Sequence, residues 1–175
     1  AAAAIGIGLS AHKFVEGVEK VVELGSELSV LSGQTSVSVA KLVGFKKALK
    51  EAGADAGDLG KHLRLMTKSI GEAALNGGAA AAGIERLGLN VGELAAMSPD
   101  EQFVVLAQRI GAIENPTIRA ATALDIFGRS GTELLPIFNN PDILRGITEG
   151  AGAFGEVMER NAHRFHEFEL AVRRI

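Results

Sequence analysis

The chain has no cysteine, no tryptophan and no tyrosine, and only four prolines in 175 residues. Without cysteine there is no disulfide framework and no thiolate metal centre. The aromatic residues are eight phenylalanines, and alanine makes up much of the 47% that is apolar. Small side chains of this kind favour close helix packing over a bulky core. A net charge of −3 and a pI near 5.8 give no electrostatic footprint for nucleic acid. Long apolar runs are missing too. The opening AAAAIGIGL is far too short to cross a bilayer, and with no basic residues before it no signal peptide is expected. Membrane contact is expected only through segments outside this chain. The sequence does not begin with Met, and we expect a piece of a longer protein.

Strand signals are also lacking. No alternating run of β-branched residues is bounded by hairpin turns. SVSVAKLV at 36–43 comes closest, but Val39, Leu42, Val43 and Leu49 continue at helical spacing. The expected fold class is therefore all-α. A chain of this length buries roughly 70% of its unfolded surface, enough for a self-supporting core.

The expected organisation is a long amphipathic helix within 1–33, a compact helical module over 34–150 and a C-terminal amphipathic helix over 151–175. The first helix, about 10–31, carries the stripe Phe14, Val18, Val21, Leu28 and Leu31, interrupted by Gly25. A second helix starts near Ser38 and stops at Gly53. A third starts at Asp55, with Leu59, Leu63, Met66, Ile70 and Ala74 on one face. Shorter helices follow at about 79–87, 99–112, 116–127, 131–138 and 141–149. Their expected core includes Phe103, Leu106, Ile110, Leu124, Phe127 and Leu134. The last helix, about 154–175, has Phe154, Met158, Ala162, Phe165, Phe168, Val172 and Ile175 on its apolar side. Both end helices need a partner for these stripes, either each other or copies in a neighbouring chain, and self-association is expected.

Start signals are explicit. Ser98-Pro99-Asp100-Glu101 places a capping Ser, a Pro at the first helical position and a Glu three residues after the Ser. Asn115-Pro116 and Asn140-Pro141 repeat the cap-plus-Pro device. Ser130-Gly131-Thr132-Glu133 reads as a second capping box. The joint Gly53-Ala54-Asp55-Ala56-Gly57-Asp58-Leu59 matches Gly88-Leu89-Asn90-Val91-Gly92-Glu93-Leu94. Each is a helix-ending Gly, a cap, an acid three later and a core Leu.

Catalytic signals are few. Gly150-Ala151-Gly152-Ala153-Phe154-Gly155 satisfies G-x-G-x-x-G, and Gly6-Ile7-Gly8-Leu9-Ser10-Ala11 its Gly/Ala variant. Neither follows a strand, which a dinucleotide site requires. Glu159, His163 and His166 share a helix face at spacings that permit divalent-metal ligation, although H-E-x-x-H and E-x-x-H both fail. These three are the weak metal candidates, and a solvated charged face is the favoured reading. Gly128-Arg129-Ser130-Gly131-Thr132 misses G-x-S-x-G at its last position. Arg129 is expected to pair with Glu133 or Asp125. There is no nucleophile with a base, no paired carboxylates and no phosphate loop, so no enzyme activity and no cofactor are expected.

The ordered run over 87–138, LGLNVGELAAMSPDEQFVVLAQRIGAIENPTIRAATALDIFGRSGTELLPIF, resembles the tail tape measure proteins of long-tailed bacteriophages and prophages. The resemblance rests on Ser98, Pro99, Glu101, Asn115, Pro116, Phe127, Gly128, Ser130, Gly131, Glu133 and Pro136 in that order, and extends over about 31–138. Gly44, Phe45 and His62 depart from the ordinary polar or Ala-rich helix of the family's preceding hairpin. The resemblance implies a structural module of a tail-length ruler that scaffolds tail tube assembly. The implied partners are tail tube subunits, tail assembly chaperones, tail tip proteins and other copies of itself. The implied location is the virion tail lumen after assembly in the host cytoplasm. The alternative is a stand-alone helical adaptor without catalytic activity.

Overall fold

The computed structural model describes residues 11–149 and 152–172, with side chains over 16–149 and 152–171. Among the described residues every regular element is helical. They are α1 (Ala11–Thr35), α2 (Val39–Glu51), α3 (Leu59–Asn76), α4 (Ala79–Arg86), α5 (Val91–Ala95), α6 (Pro99–Gly111), α7 (Pro116–Phe127), α8 (Ser130–Phe138), α9 (Pro141–Thr148) and α10 (Gly152–Val172). A 3₁₀ turn at Ala56–Asp58 leads into α3. The all-α reading holds. The two G-x-G-x-x-G matches, the side chains of Phe14 and Val172, and Ile175 lie wholly or partly outside the described residues.

The joints follow the chemistry written in the sequence. Gly53 and Gly88 adopt φ of 75° and 71°, the left-handed stop that glycine takes without a Cβ penalty. Asp55 then accepts from the Gly57 N–H, and Asn90 from the Glu93 N–H. Leu59 and Leu94 are each buried directly after, although the first joint passes through the 3₁₀ turn before α3 and the second opens α5 directly. Asn115 and Asn140 cap α7 and α9, each accepting from two backbone N–H groups.

One buried cluster runs from Leu28 in α1 to Ala162 in α10. Its centre is a group of four phenylalanines from four helices. Phe103 of α6 meets Phe45 of α2 edge-on at 4.9 Å and Phe127 of α7 at 5.8 Å, while Phe138 of α8 stands 5.3 Å from Phe127. Edge-to-face packing suits the ring quadrupoles. Gly44, Phe45 and His62 are all buried.

Four expected faces are corrected. Leu124 is 47% exposed, and Ala123 and Ile126 take the buried positions of α7 beside Phe127. In α3 it is Ala73 rather than Ala74 that closes the buried face. In α1, Val18 and Val21 are exposed while Leu28 and Leu31 are buried. The reason is where α10 sits: Phe165 and His166 meet Gly25 and Ser26, so the stripe is covered from Gly25 onward. In α10 the buried line narrows to Met158 and Ala162, with Phe165 partly buried, and Phe154 and Phe168 face solvent. α10 packs chiefly on α1 and also on α2, so the two end helices are each other's partners within the chain.

Candidate functional site

The start of α3 and the first turn of α8 bring together the most chemically distinctive side chains of the molecule. Asp58 stands at the N-cap of α3, and His62, four residues on, lies on the same helix face. α8 contributes Glu133. One ligand atom from each of Asp58, His62 and Glu133 lies within 4.8 Å of the others. His62 is 1% exposed, and its Nδ1 is buried without a hydrogen-bond partner. Its Nε2 faces Glu133 Oε2 at 3.9 Å, beyond hydrogen-bond reach. Burial pushes the His62 pKa below its ordinary value, outweighing the opposing pull of Glu133 and Asp58. Nε2 is thus directed at the Glu133 carboxylate, which, like that of Asp58, is about half exposed. Lys61 lies 3.5 Å from Asp58 and partly balances its charge.

The sequence singled out a different set. Glu159, His163 and His166 are not brought together as a metal site: α2 and α1 engage Glu159 and His166, and His163 is left on the exposed side of α10. Glu159 accepts from the Ala40 N–H at 2.8 Å and so helps cap α2. His166 Nδ1 shares a hydrogen bond of 2.9 Å with Ser26 Oγ of α1. His163 is solvent-exposed and stands 3.6 Å from Glu167. The set that does converge was legible only in half: Asp58 and His62 sit at i, i+4, but nothing in the sequence ties them to Glu133, 71 positions away.

The motif residues of α6 to α8 serve the fold. Glu101 accepts from both the backbone N–H and the hydroxyl of Ser98, at 3.0 and 2.8 Å. The backbone hydrogen bond from Ser98 is the main reason the Glu101 carboxyl titrates below its usual range. Beside it, Lys41 of α2 donates to the buried Asp100. Burial opposes ionisation of Asp100, yet the hydrogen bonds from Lys41 and Ser98 prevail and hold its pKa below the usual value. Gln102 is buried and donates to the Leu94 and Met97 carbonyls, satisfying the end of α5.

The second capping box does not form. Gly128 ends α7 at φ 59°, and Arg129 is already in helical conformation, so no extended residue is left to act as a cap. Ser130 is buried inside α8 instead. Gly131 has a different role as well, because a Cβ there would collide with the backbone of Ala123 and Leu124. Pro136 lies within α8. Arg129 does not gain either expected acid: Asp125 pairs with Arg86 of α4 at 3.0 Å, and Glu133 turns toward His62.

A cleft of about 510 Å³ opens between α6, the end of α8 and α9, lined by Gln108, Phe138, Leu144, Arg145 and Thr148 among others. Its charged residue, Arg145, is engaged with Asp142 at 3.3 Å. Compared with protein-family models, with curated proteins and with solved structures, the chain matches none of them.

Proposed function

We propose that this chain is a structural module of a bacteriophage tail tape measure protein, the ruler that sets tail length and scaffolds tail tube assembly. The observation that carries the reading is the ordered run over 87–138 ending in FGRSGTELLPIF. The packing roles of its residues support treating that run as one unit: Gly128 stops α7, Gly131 admits α8 against α7, and Phe127 fills the centre. On this reading the module is a folded knot within or beside an extended helical ruler. Its surface meets tail tube subunits, assembly chaperones, tail tip proteins or other copies of itself, in the tail lumen of the virion after assembly in the host cytoplasm. It performs no catalytic step and takes no cofactor for this role. Among the described residues no helix is long and apolar enough to cross a membrane.

The test is in-frame deletion of helical segments from the parent gene, followed by electron microscopy of the particles. Tails should shorten by about 1.5 Å for each helical residue removed. Tails of unchanged length would sink the ruler, and particles lacking this polypeptide by mass spectrometry would sink the assignment to a tail.

A second reading, the stand-alone helical adaptor, is favoured by one observation. α1 and α10 cover Leu28, Met158 and Ala162 by packing on each other, which leaves less stripe for a neighbouring copy. Light scattering separates the two: concentration-dependent association supports the ruler, and a monomer at high concentration supports the adaptor.

A further inference from the structure

We propose that Asp58, His62 and Glu133 form a binding site for a divalent transition-metal ion of the zinc class, held between the start of α3 and α8. The inference is independent of the tail assignment and stands on geometry.

Two exposed carboxylates alone would be an ordinary acidic surface. The distinguishing feature is the imidazole between them. His62 is buried, makes no hydrogen bond through Nδ1, and presents Nε2 to Glu133 beyond hydrogen-bond distance. A metal–nitrogen bond at Nε2 would give the buried ring a partner on the side facing the carboxylates, while Nδ1 would stay unpaired.

The donors select the class of ion. One imidazole nitrogen with two carboxylate oxygens suits zinc and its neighbours, whereas calcium and magnesium prefer oxygen alone. Donors around a zinc ion, each at about 2.0–2.2 Å, stand about 3.4 Å apart. The present span of 4.8 Å therefore has to contract modestly. The packed imidazole fixes one corner, and the Asp58 and Glu133 side chains, 41% and 50% exposed, have room to swing in. Three protein donors leave a coordination position for water. Because Glu133 comes from a different helix, the ion would clip α8 to α3 and stabilise the fold by mass action.

The experiment uses the whole chain, stripped with chelator. Zinc is titrated by calorimetry, cobalt by its visible absorption, and thermal unfolding is followed with and without zinc. One ion per chain is expected, with a zinc-dependent rise in melting temperature. Asp58→Asn and Glu133→Gln each remove an exposed donor without disturbing the core, and each should weaken binding by roughly tenfold or more. Both should also reduce the thermal shift at a given zinc concentration. His62→Gln, checked for folding by circular dichroism, should lose binding altogether. His163→Ala should leave affinity unchanged. The proposal is overturned by an absence of binding at millimolar zinc, by affinity indifferent to Asp58→Asn and Glu133→Gln, or by affinity that follows His163→Ala. Equal binding of magnesium would overturn the assignment of ion class.

Discussion

Phe165 of α10 lies directly on Gly25 of α1, so close that a Cβ at position 25 would overlap the ring and its Cβ. Read along the sequence, Gly25 only breaks an apolar stripe. In the structure it is the notch that lets α10 dock. Ser26 and His166, the next residues on each helix, hydrogen-bond across the same seam. Gly25→Ala should therefore destabilise by about 1–3 kcal/mol through overpacking. In that background Phe165→Ala should cost less than in the wild type, because the two residues share one contact. Denaturant midpoints of the four proteins measure the coupling, and strict additivity would mean that the two side chains do not meet.

Two other helical glycines should respond in opposite directions. A Cβ at Gly131 would run into the Ala123 carbonyl, whereas one at Gly71 in α3 would meet open space. Gly131→Ala should lose roughly 1–3 kcal/mol. Gly71→Ala should gain about 0.5–1 kcal/mol, since alanine removes backbone entropy from the unfolded chain. Thermal melts of both variants test the pair.

Neighbouring residues of α7 should differ just as sharply. Phe127 is enclosed by Phe103 and Phe138, and Phe127→Ala should cost about 3–5 kcal/mol. Leu124 faces solvent, and Leu124→Ala should change stability by no more than about 0.5 kcal/mol. Equal losses would mean that the helix is rotated from its described face.

The Lys41–Asp100 pair makes stability depend on acid. Asp100 titrates below its ordinary value of 3.8 in the folded protein. Its contribution is complete above the unfolded value and is lost as pH falls through the lower, folded one. Asp100→Asn should cost about 1.5–3 kcal/mol at pH 7, the scale of a hydrogen bond to a charged group. The gap between variant and wild type should then close as the pH drops below 3.8. Urea titrations across that range measure it, and a gap independent of pH would remove the charge from the explanation.

Much of the secondary structure was legible because its signals are local. Asp55, Asn90, Asn115 and Asn140 cap the helices they precede, since a cap needs only a side-chain oxygen two or three residues from a free N–H. Ser130 was misleading for the same local reason. Its box has the right residues, but Gly128 turns the chain so that Arg129 is already helical and Ser130 is drawn into the interior. Leu124 illustrates a second limit. Leu and Ile at 124 and 126 are equally apolar, and only the position of α7 on its neighbours decides which is buried.

The sequence by itself determined the fold class, most helix boundaries and the glycine stops and caps at the Gly53 and Gly88 joints. Each depends on interactions within one turn of helix, whose partners are fixed by spacing along the chain. Tertiary structure alone decided which face of each helix is buried, what Gly25 and Gly131 are for, and which histidine meets acids. Glu159 and His166 share α10 with His163 but are taken up by the Ala40 N–H and the Ser26 hydroxyl. Asp58 and His62 meet Glu133 only because α3 and α8 pack on the same core. Such meetings depend on how helices far apart in the chain pack together, and no local pattern encodes that.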